Sequence, residues 1–257
     1  IGVSLHSEKT NRFSDIPETQ KSSDPVLGLI NLAILRKVPL RTQYNISRID
    51  ESWNVVKYVD EALTKYKKSY NLYDFTDMLR VFAETGESCC PRFAVTFLDE
   101  AQDLSPLQWD IAHMLDRRSE KMYCAGDDDQ AIYRWAGADV EHFIGLEGGS
   151  ETLSQSYRVP KLPWGVAQNI ARRIHRRFPK TYKPREEKGF VTRISMINEL
   201  DLSEGSWLIL AQAAYLLQDV SSDLKAMGLL FTFRGHRSVS ERMSEAIRGW
   251  EQLRNNK

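Results

Sequence analysis

Apolar side chains recur at helical spacing along the first third of the chain. Val59, Leu63, Tyr66 and Tyr70 lie three or four residues apart in "WNVVKYVDEALTKYKKSY", which is the spacing of one face of an α-helix. The segments "VLGLINLAILRKV" and "DFTDMLRVFAE" are also typical of helices. Residues 7–25 are polar and rich in helix breakers, which predicts a loop or a poorly ordered arm. We therefore expect a mostly helical segment up to about residue 70.

The pattern changes in the middle of the chain. "RFAVTFL" is a short continuous apolar run rich in β-formers, which predicts a buried strand of a parallel sheet. "SPLQWDIAHMLDRR" predicts a helix with Ser105 as its N-cap and Pro106 at its first position. "KMYCAGD" predicts a second strand. Such a unit makes a parallel pair, so both acidic loops are expected at the carboxyl edge of the sheet, where α/β folds bind ligands.

A second α/β unit is predicted after residue 150. "ETLSQSYRVP", "GFVTRISMI", "SWLILAQ" and "LLFTF" resemble strands, whereas residues 167–178, "YLLQDVSSDLKAMG" and the stretch from Ser238 have helical patterns. The boundary between the two units is expected near residues 155–160. The basic segment "ARRIHRRFPKTYKPR" is interpreted as a solvated helix face, with phosphate tracking as the alternative.

Composition narrows the setting of the protein. The formal net charge of the 257 residues is zero, so any nucleic-acid surface must be a local patch. The three cysteines form neither a disulfide framework nor a metal-binding spacing, which favours a reduced, cytoplasmic location. No apolar segment reaches the length of a membrane span, and we expect no membrane partner.

Two consecutive acids, Asp99 and Glu100, end the first predicted strand. A hydrophobic strand ending in Asp-Glu is typical of nucleotide hydrolases, in which the Asp holds Mg²⁺ and the Glu orients or deprotonates the attacking water. The alternatives are that the two acids cap the helix that starts near Ser105, or that they are merely solvated.

The loop after the second predicted strand reads "GDDDQAIYRWAGA". The amide of Gln130 could sense a γ-phosphate or hold the attacking water. Tyr133, Arg134 and Trp135 form a group suited to stacking on nucleic-acid bases, and the alternative is that the two aromatic residues pack in a core. In the later "LSQSYRVP", Arg158 could neutralise charge on a transferring phosphoryl group, although an isolated arginine in a turn is usually a surface residue.

Three motifs, taken in order and with their gaps, resemble a known family. "FLDEAQD", "GDDDQAIYRWAGA" and "QSYR" are similar to motifs II, III and IV of the UvrD/PcrA-type superfamily 1 DNA helicases. The resemblance implies an α/β fold, namely part of a RecA-like P-loop NTPase motor domain with a helical insertion, followed by the start of a second RecA-like domain. It implies that residues 1–70 belong to the insertion, residues 71–157 to the first motor domain and residues 158–257 to the second.

The resemblance also implies the roles of individual residues in an ATP site. Asp99 would hold Mg²⁺, with Glu100 nearby as the general base for ATP hydrolysis. Gln130 would contact the γ-phosphate and couple it to DNA. Tyr157 would lie against the adenine, and Arg158 would be the arginine finger.

For DNA, the resemblance implies a surface formed by Tyr133, Arg134 and Trp135, with Trp135 stacking on a base of single-stranded DNA. The partners implied are single-stranded DNA and duplex junctions. One departure from the family pattern lies next to this surface: Ala136 stands where the family usually has arginine.

The phosphate loop of such enzymes is not in this sequence. No "GxxxxGK[ST]" occurs in the 257 residues, so we expect the chain to be a helicase fragment that needs an N-terminal phosphate-loop segment and is inactive alone. Two alternatives stay open. One is a non-enzymatic helicase-like module that binds nucleic acid or protein, and the other is the motor part of a helicase–nuclease subunit.

Overall fold

Helices form the N-terminal part of the chain in a computed structural model, which describes residues 24–233 and 235–255. The predicted polar arm, up to residue 23, lies outside the described residues. The first helix begins where Asp24 accepts a hydrogen bond from the N–H of Val26, and Pro25 occupies its first position, a favourable start for a helix. The four helices are α1 (Pro25–Leu35), α2 (Leu40–Ile46), α3 (Trp53–Tyr70) and α4 (Phe75–Thr85).

The first apolar core lies between α1 and α3. Val26, Leu29 and Ile30 of α1 pack with Val56 of α3, and all four are buried. The predicted apolar stripe of α3 is only half correct, because Val59 and Leu63 are partly buried whereas its two tyrosines are exposed. These tyrosine rings, Tyr66 and Tyr70, pack against each other with centroids 4.8 Å apart.

A cation joins the end of α3 to the start of α4. Lys67 lies 2.5 Å from Asp74 and 2.6 Å from Asp77. Asp74 and Asp77 also form the capping box of α4. Burial acts to raise the pKa of Asp77, but the hydrogen bonds from Lys67 and from the Asp74 backbone outweigh it and hold that pKa below its usual value.

Replacing Lys67 by methionine is expected to lower the free energy of unfolding by about 2 kcal/mol, because the buried Asp77 loses the closer of its two cations within the described residues and keeps only Arg80 at 3.3 Å. Since folding lowers the pKa of Asp77, its stabilisation is present above the unfolded pKa and is lost as pH falls through the folded pKa. We expect urea denaturation to show that the free energies of unfolding of the wild type and of Lys67→Met differ at neutral pH. This difference should shrink at a pH below the titration of Asp77. The exposed Lys65→Met is the control, and an equal loss there would contradict the assignment.

The predicted strand–helix–strand unit is confirmed. The strands β1 (Phe93–Leu98) and β2 (Ser119–Cys124) are parallel neighbours, and α5 (Pro106–Arg117) connects them. Ser105 caps α5 in a capping box with Gln108, and Pro106 is its first residue. The second core forms around Trp109 of this helix.

The prediction that the first strand is buried is wrong. Phe97 is 78% exposed and stacks on Tyr123 with ring centroids 5.4 Å apart. Among the described residues β1 has β2 as its sheet neighbour, so much of its apolar surface stays uncovered. An apolar run predicts a strand correctly here, while its burial depends on neighbouring elements.

Two compact units divide the described chain, residues 24–187 and 188–255. The first also contains α6 (Val140–Ile144) and α7 (Lys161–Ala171). The predicted motor-domain boundary at residues 157 and 158 falls inside this unit and stays a prediction. In place of a strand within 151–160, Gln155 makes an isolated bridge with Lys183.

The predicted strands "GFVTRISMI" and "SWLILAQ" are wrong, because residues 189–197 and 206–212 have no strand structure. Strands depend on hydrogen-bonded neighbours and on burial, yet Leu208 is 81% exposed. The helix predicted for "YLLQDVSSDLKAMG" and the final helix are confirmed. The second unit contains α8 (Leu217–Ala226), the antiparallel β3 (Thr232–Phe233) and β4 (His236–Arg237), and α9 (Glu241–Arg254).

Within the part of the chain that the structure describes, none of the helices has the length and apolar character that crossing a membrane requires.

Candidate active site

The two acidic loops begin side by side at the carboxyl edge of the parallel strands. Leu98 and Cys124, the last residues of β1 and β2, are partners in the register. The N–H of Ala125 donates to the carbonyl of Leu98 at 2.7 Å, and the N–H of Ala101 donates to the carbonyl of Ala125 at 3.0 Å. The chain leaves both strands at the same level, so the predicted position of the acidic loops is confirmed.

Asp99 and Glu100 are exposed where the chain turns out of β1. Glu100 has a left-handed backbone, with φ 52° and ψ 39°, and its N–H donates to Oδ1 of Asp99 at 2.9 Å. A non-glycine residue in this conformation costs about 1–3 kcal/mol, and such residues cluster at functional sites. The alternative that these acids cap α5 is wrong, because Ser105 and Gln108 form that capping box.

Gln102 joins the two acidic loops, a role that its position in the sequence does not predict. Its side chain is 1% exposed. Its Nε2 donates to Oε2 of Glu100 at 2.7 Å, and its Oε1 accepts from the N–H of Asp127 at 3.0 Å. A β-carbon at Gly126 would lie 2.6 Å from that Oε1, so glycine permits the close approach. The signal in the sequence was an amide two residues after the acidic pair.

The loop after β2 orients Gln130 through Asp127. Oδ1 of Asp127 accepts from the N–H of Asp129 at 3.2 Å, and Oδ2 accepts from Nε2 of Gln130 at 2.6 Å. Burial acts to raise the pKa of Asp127, but hydrogen bonds from Lys180 and Gln130 hold that pKa below its usual value. The hydrogen-bonded path therefore runs from Glu100 through Gln102 and Asp127 to Gln130.

Tyr157 and Arg158 lie in a separate exposed loop between α6 and α7. Tyr157 is 83% exposed, and Arg158 makes no ion pair with any described residue. The structure thus brings Glu100 and Gln130 into one network, whereas no direct hydrogen bond within the described ranges extends that network to Tyr157 or Arg158. Both side chains are accessible to a ligand.

The aromatic residues of the second loop are accessible. Trp135 is 64% exposed and Tyr133 is 41% exposed, so the alternative that they pack in a core is wrong. Their ring centroids lie 6.3 Å apart with the planes tilted by 50°. Arg134 between them pairs with Glu141 at 3.1 Å, and its carbonyl accepts from Arg36 at 2.8 Å.

Carboxylate oxygens are the metal donors at this edge, and they suit Mg²⁺. No group of three or more His, Cys, Asp or Glu side chains in residues 24–233 or 235–255 is arranged to hold a metal ion. Proteins bind Mg²⁺ in nucleotide sites through one or two carboxylates together with phosphate oxygens. Asp99 and Glu100 therefore fit an ion shared with a nucleotide, in which Asp99 is the predicted protein ligand.

Several proteins named as DNA helicases are similar to this chain. "Putative ATP-dependent DNA helicase YjcD" of Bacillus subtilis is 25% identical over 211 residues, which cover 77% of this chain and 28% of that protein. "Probable DNA helicase II homolog" of Rickettsia conorii is 31% identical over 147 residues, which cover 52% of this chain and 22% of that protein. "ATP-dependent DNA helicase PcrA" of Leuconostoc citreum is 27% identical over 146 residues, which cover 51% of this chain and 20% of that protein.

The chain spans between 20% and 28% of the length of these curated relatives. Residues 6–148 match the family described as the UvrD/REP helicase N-terminal domain. That match covers more than half of the chain and includes both acidic loops, with Tyr133 and Trp135 of the second loop. The chain therefore belongs to the UvrD/REP helicase family.

Proposed function

We propose that this chain is part of the motor of an ATP-dependent DNA helicase, which couples ATP hydrolysis to movement along single-stranded DNA and to duplex unwinding. The observation that carries the proposal is the hydrogen-bonded path from Glu100 through Gln102 and Asp127 to Gln130. It joins a carboxylate and an amide at the sheet edge where α/β folds bind ligands. The names of the relatives support the same reaction.

The proposed chemistry assigns one task to each group. Asp99 holds Mg²⁺, which neutralises charge on the phosphates when it is bound. Glu100 accepts the proton of the attacking water, and Gln130 orients that water or the γ-phosphate. Arg158 approaches the transferring phosphoryl group, and Tyr157 lies against the adenine. A module that only binds nucleic acid has no chemical need for this combination of residues.

The domain organisation belongs to the same proposal. Residues 71–157 form part of a first RecA-like domain, the helices before residue 71 form its insertion, and residues 158–257 begin a second RecA-like domain. The phosphate loop is supplied by another segment of the full-length protein. DNA junctions are the proposed substrate, and the three free cysteines are consistent with a cytoplasmic location.

Single-stranded DNA tests this function. We expect an oligothymidine strand to stimulate ATP hydrolysis by the full-length protein. Replacing Trp135 by alanine should weaken binding of that strand by about 10- to 100-fold, because one stacked base contributes roughly 1–3 kcal/mol. Fluorescence anisotropy of a labelled oligonucleotide measures the binding, and a coupled assay measures the hydrolysis.

Trp250→Ala is the matched control, since Trp250 is 67% exposed and lies in α9. It should bind the oligonucleotide like the wild type. Hydrolysis that does not respond to single-stranded DNA would contradict the proposed function. An equal loss of affinity in both tryptophan variants would contradict the role of Trp135.

A further inference from the structure

One segment of chain after α7 contacts both loops that carry the proposed ATP-site residues. We call residues 177–185 the brace segment. Near its start, Arg177 and Lys180 face the acidic loop that leads to Gln130. Near its end, the N–H of Lys183 donates to the carbonyl of Ser154 at 2.8 Å, and the N–H of Ser156 donates to the carbonyl of Lys183 at 2.8 Å.

The interpretation of the basic residues as a solvated helix face is wrong for this segment. Helix α7 ends at Ala171, so the brace segment is not helical. Arg177 lies 2.5 Å from Asp129 with 18% of its side chain exposed. The preceding Arg176 pairs with Glu141 at 2.7 Å. Arg177 is therefore used within the fold, where it helps to compensate the three adjacent aspartates of the acidic loop.

Lys180 contacts all three of these aspartates. Its Nζ lies 2.8 Å from Asp127 and 3.3 Å from Asp129, and it also contacts Asp128 directly. Only 12% of the Lys180 side chain and 3% of the Asp128 side chain are exposed. The N–H of Phe178 donates a further hydrogen bond to Asp128 at 2.7 Å. A largely enclosed lysine thus holds three carboxylates that would otherwise repel one another.

The contact with Asp127 reaches Gln130. An ionised carboxylate can only accept hydrogen bonds, so the Gln130 amide must present its nitrogen to Asp127. The amide oxygen of Gln130 is thereby left for another partner. The Asp127 carboxylate binds Lys180 through Oδ1 and Gln130 through Oδ2. The position of this carboxylate therefore sets the position of the Gln130 amide.

We propose that Lys180 is a positioning residue of the ATP site, because it holds Asp127 against Gln130 and so fixes which end of the Gln130 amide faces a ligand. The inference rests on the proposed function, in which Gln130 acts during hydrolysis. The brace segment also links Lys180 to the loop that contains Arg158, because its other end forms hydrogen bonds with that loop. Lys180 itself contacts no reacting group.

The test compares Lys180→Met and Lys180→Arg in the full-length protein. In Lys180→Met we expect kcat for DNA-stimulated ATP hydrolysis to fall by about 10- to 100-fold, the scale of a misplaced catalytic group. KM for ATP should stay within about twofold, because the lysine does not touch the nucleotide. Lys180→Arg should restore most of kcat, since a guanidinium can also bind the carboxylates.

Lys188→Met is the matched control, since Lys188 is exposed and makes no ion pair among the described residues. It should leave kcat unchanged. A folded Lys180→Met protein with wild-type kcat would overturn the proposal. So would a loss that Lys180→Arg fails to restore.

A second readout separates this inference from the proposed function. With ¹⁵N-glutamine labelling, the side-chain NH₂ resonances of Gln130 should shift in Lys180→Met and stay in place in Lys188→Met. If the wild-type protein hydrolyses no ATP, the proposed function fails, and these resonances then decide whether Lys180 positions Gln130. Unchanged resonances would overturn the inference. Thermal melting of each variant establishes that it is folded.

Discussion

Replacing Arg158 by alanine is expected to lower kcat for ATP hydrolysis by the full-length protein by about 10³- to 10⁵-fold, the effect of removing an arginine finger. The physical reason is that charge develops on the transferring phosphoryl group and a guanidinium offsets it most strongly in the transition state. Arg158 is exposed in the loop between α6 and α7, so its charge is accessible to a ligand. Steady-state hydrolysis at saturating single-stranded DNA measures the change.

Two comparisons make this result specific. Arg193→Ala removes an exposed arginine that makes no ion pair within the described residues, and it should leave kcat unchanged. Binding of a fluorescent ATP analogue should weaken far less than kcat falls, because the interaction is strongest in the transition state. A loss in affinity that accounts for the whole effect would show that Arg158 only binds nucleotide.

The second large effect is expected for Glu100→Gln, which should lower kcat by about 10²- to 10⁴-fold while ATP binding is retained. An amide cannot accept the proton of the attacking water, so the chemical step fails. The substitution keeps the shape of the side chain, and the new amide oxygen can still accept the hydrogen bond that Gln102 donates to Glu100. Single-turnover hydrolysis and equilibrium binding of ATP separate the two quantities.

Glu120→Gln is the control, because Glu120 is an exposed acid of β2 with no ion pair in the described part of the chain. Its kcat should equal that of the wild type. Unchanged turnover in Glu100→Gln would refute the role of Glu100 as the base. Lost ATP binding would instead show that the carboxylate is needed to assemble the site.

Local signals account for what the sequence predicted correctly. Ser105 and Pro106 specify the start of α5 through capping and a fixed φ angle, and both act within one turn of helix. The parallel pairing of β1 and β2 follows from the short connections of the strand–helix–strand unit. The proximity of Glu100 and Gln130 follows in turn, because the carboxyl ends of parallel neighbours share one edge.

Non-local contacts account for what the sequence did not predict. Lys180 meets the acidic loop about fifty residues away along the chain, and no periodicity encodes such a pairing. The role of Gln102 was also not predictable, because it depends on the N–H of Asp127 in the other loop. The predicted strand at residues 206–212 failed for a related reason, since apolar runs form strands only beside hydrogen-bonding neighbours.

The left-handed backbone of Glu100 creates a trade-off between stability and activity at a single position. Glycine adopts this conformation without the steric cost of a β-carbon, but it has no carboxylate to accept a proton. Selection for stability alone and selection for hydrolysis therefore favour different residues at position 100. In a descendant of this protein that no longer hydrolyses nucleotide, the glutamate would be free to drift towards glycine or asparagine, and that drift would mark the loss of the enzyme.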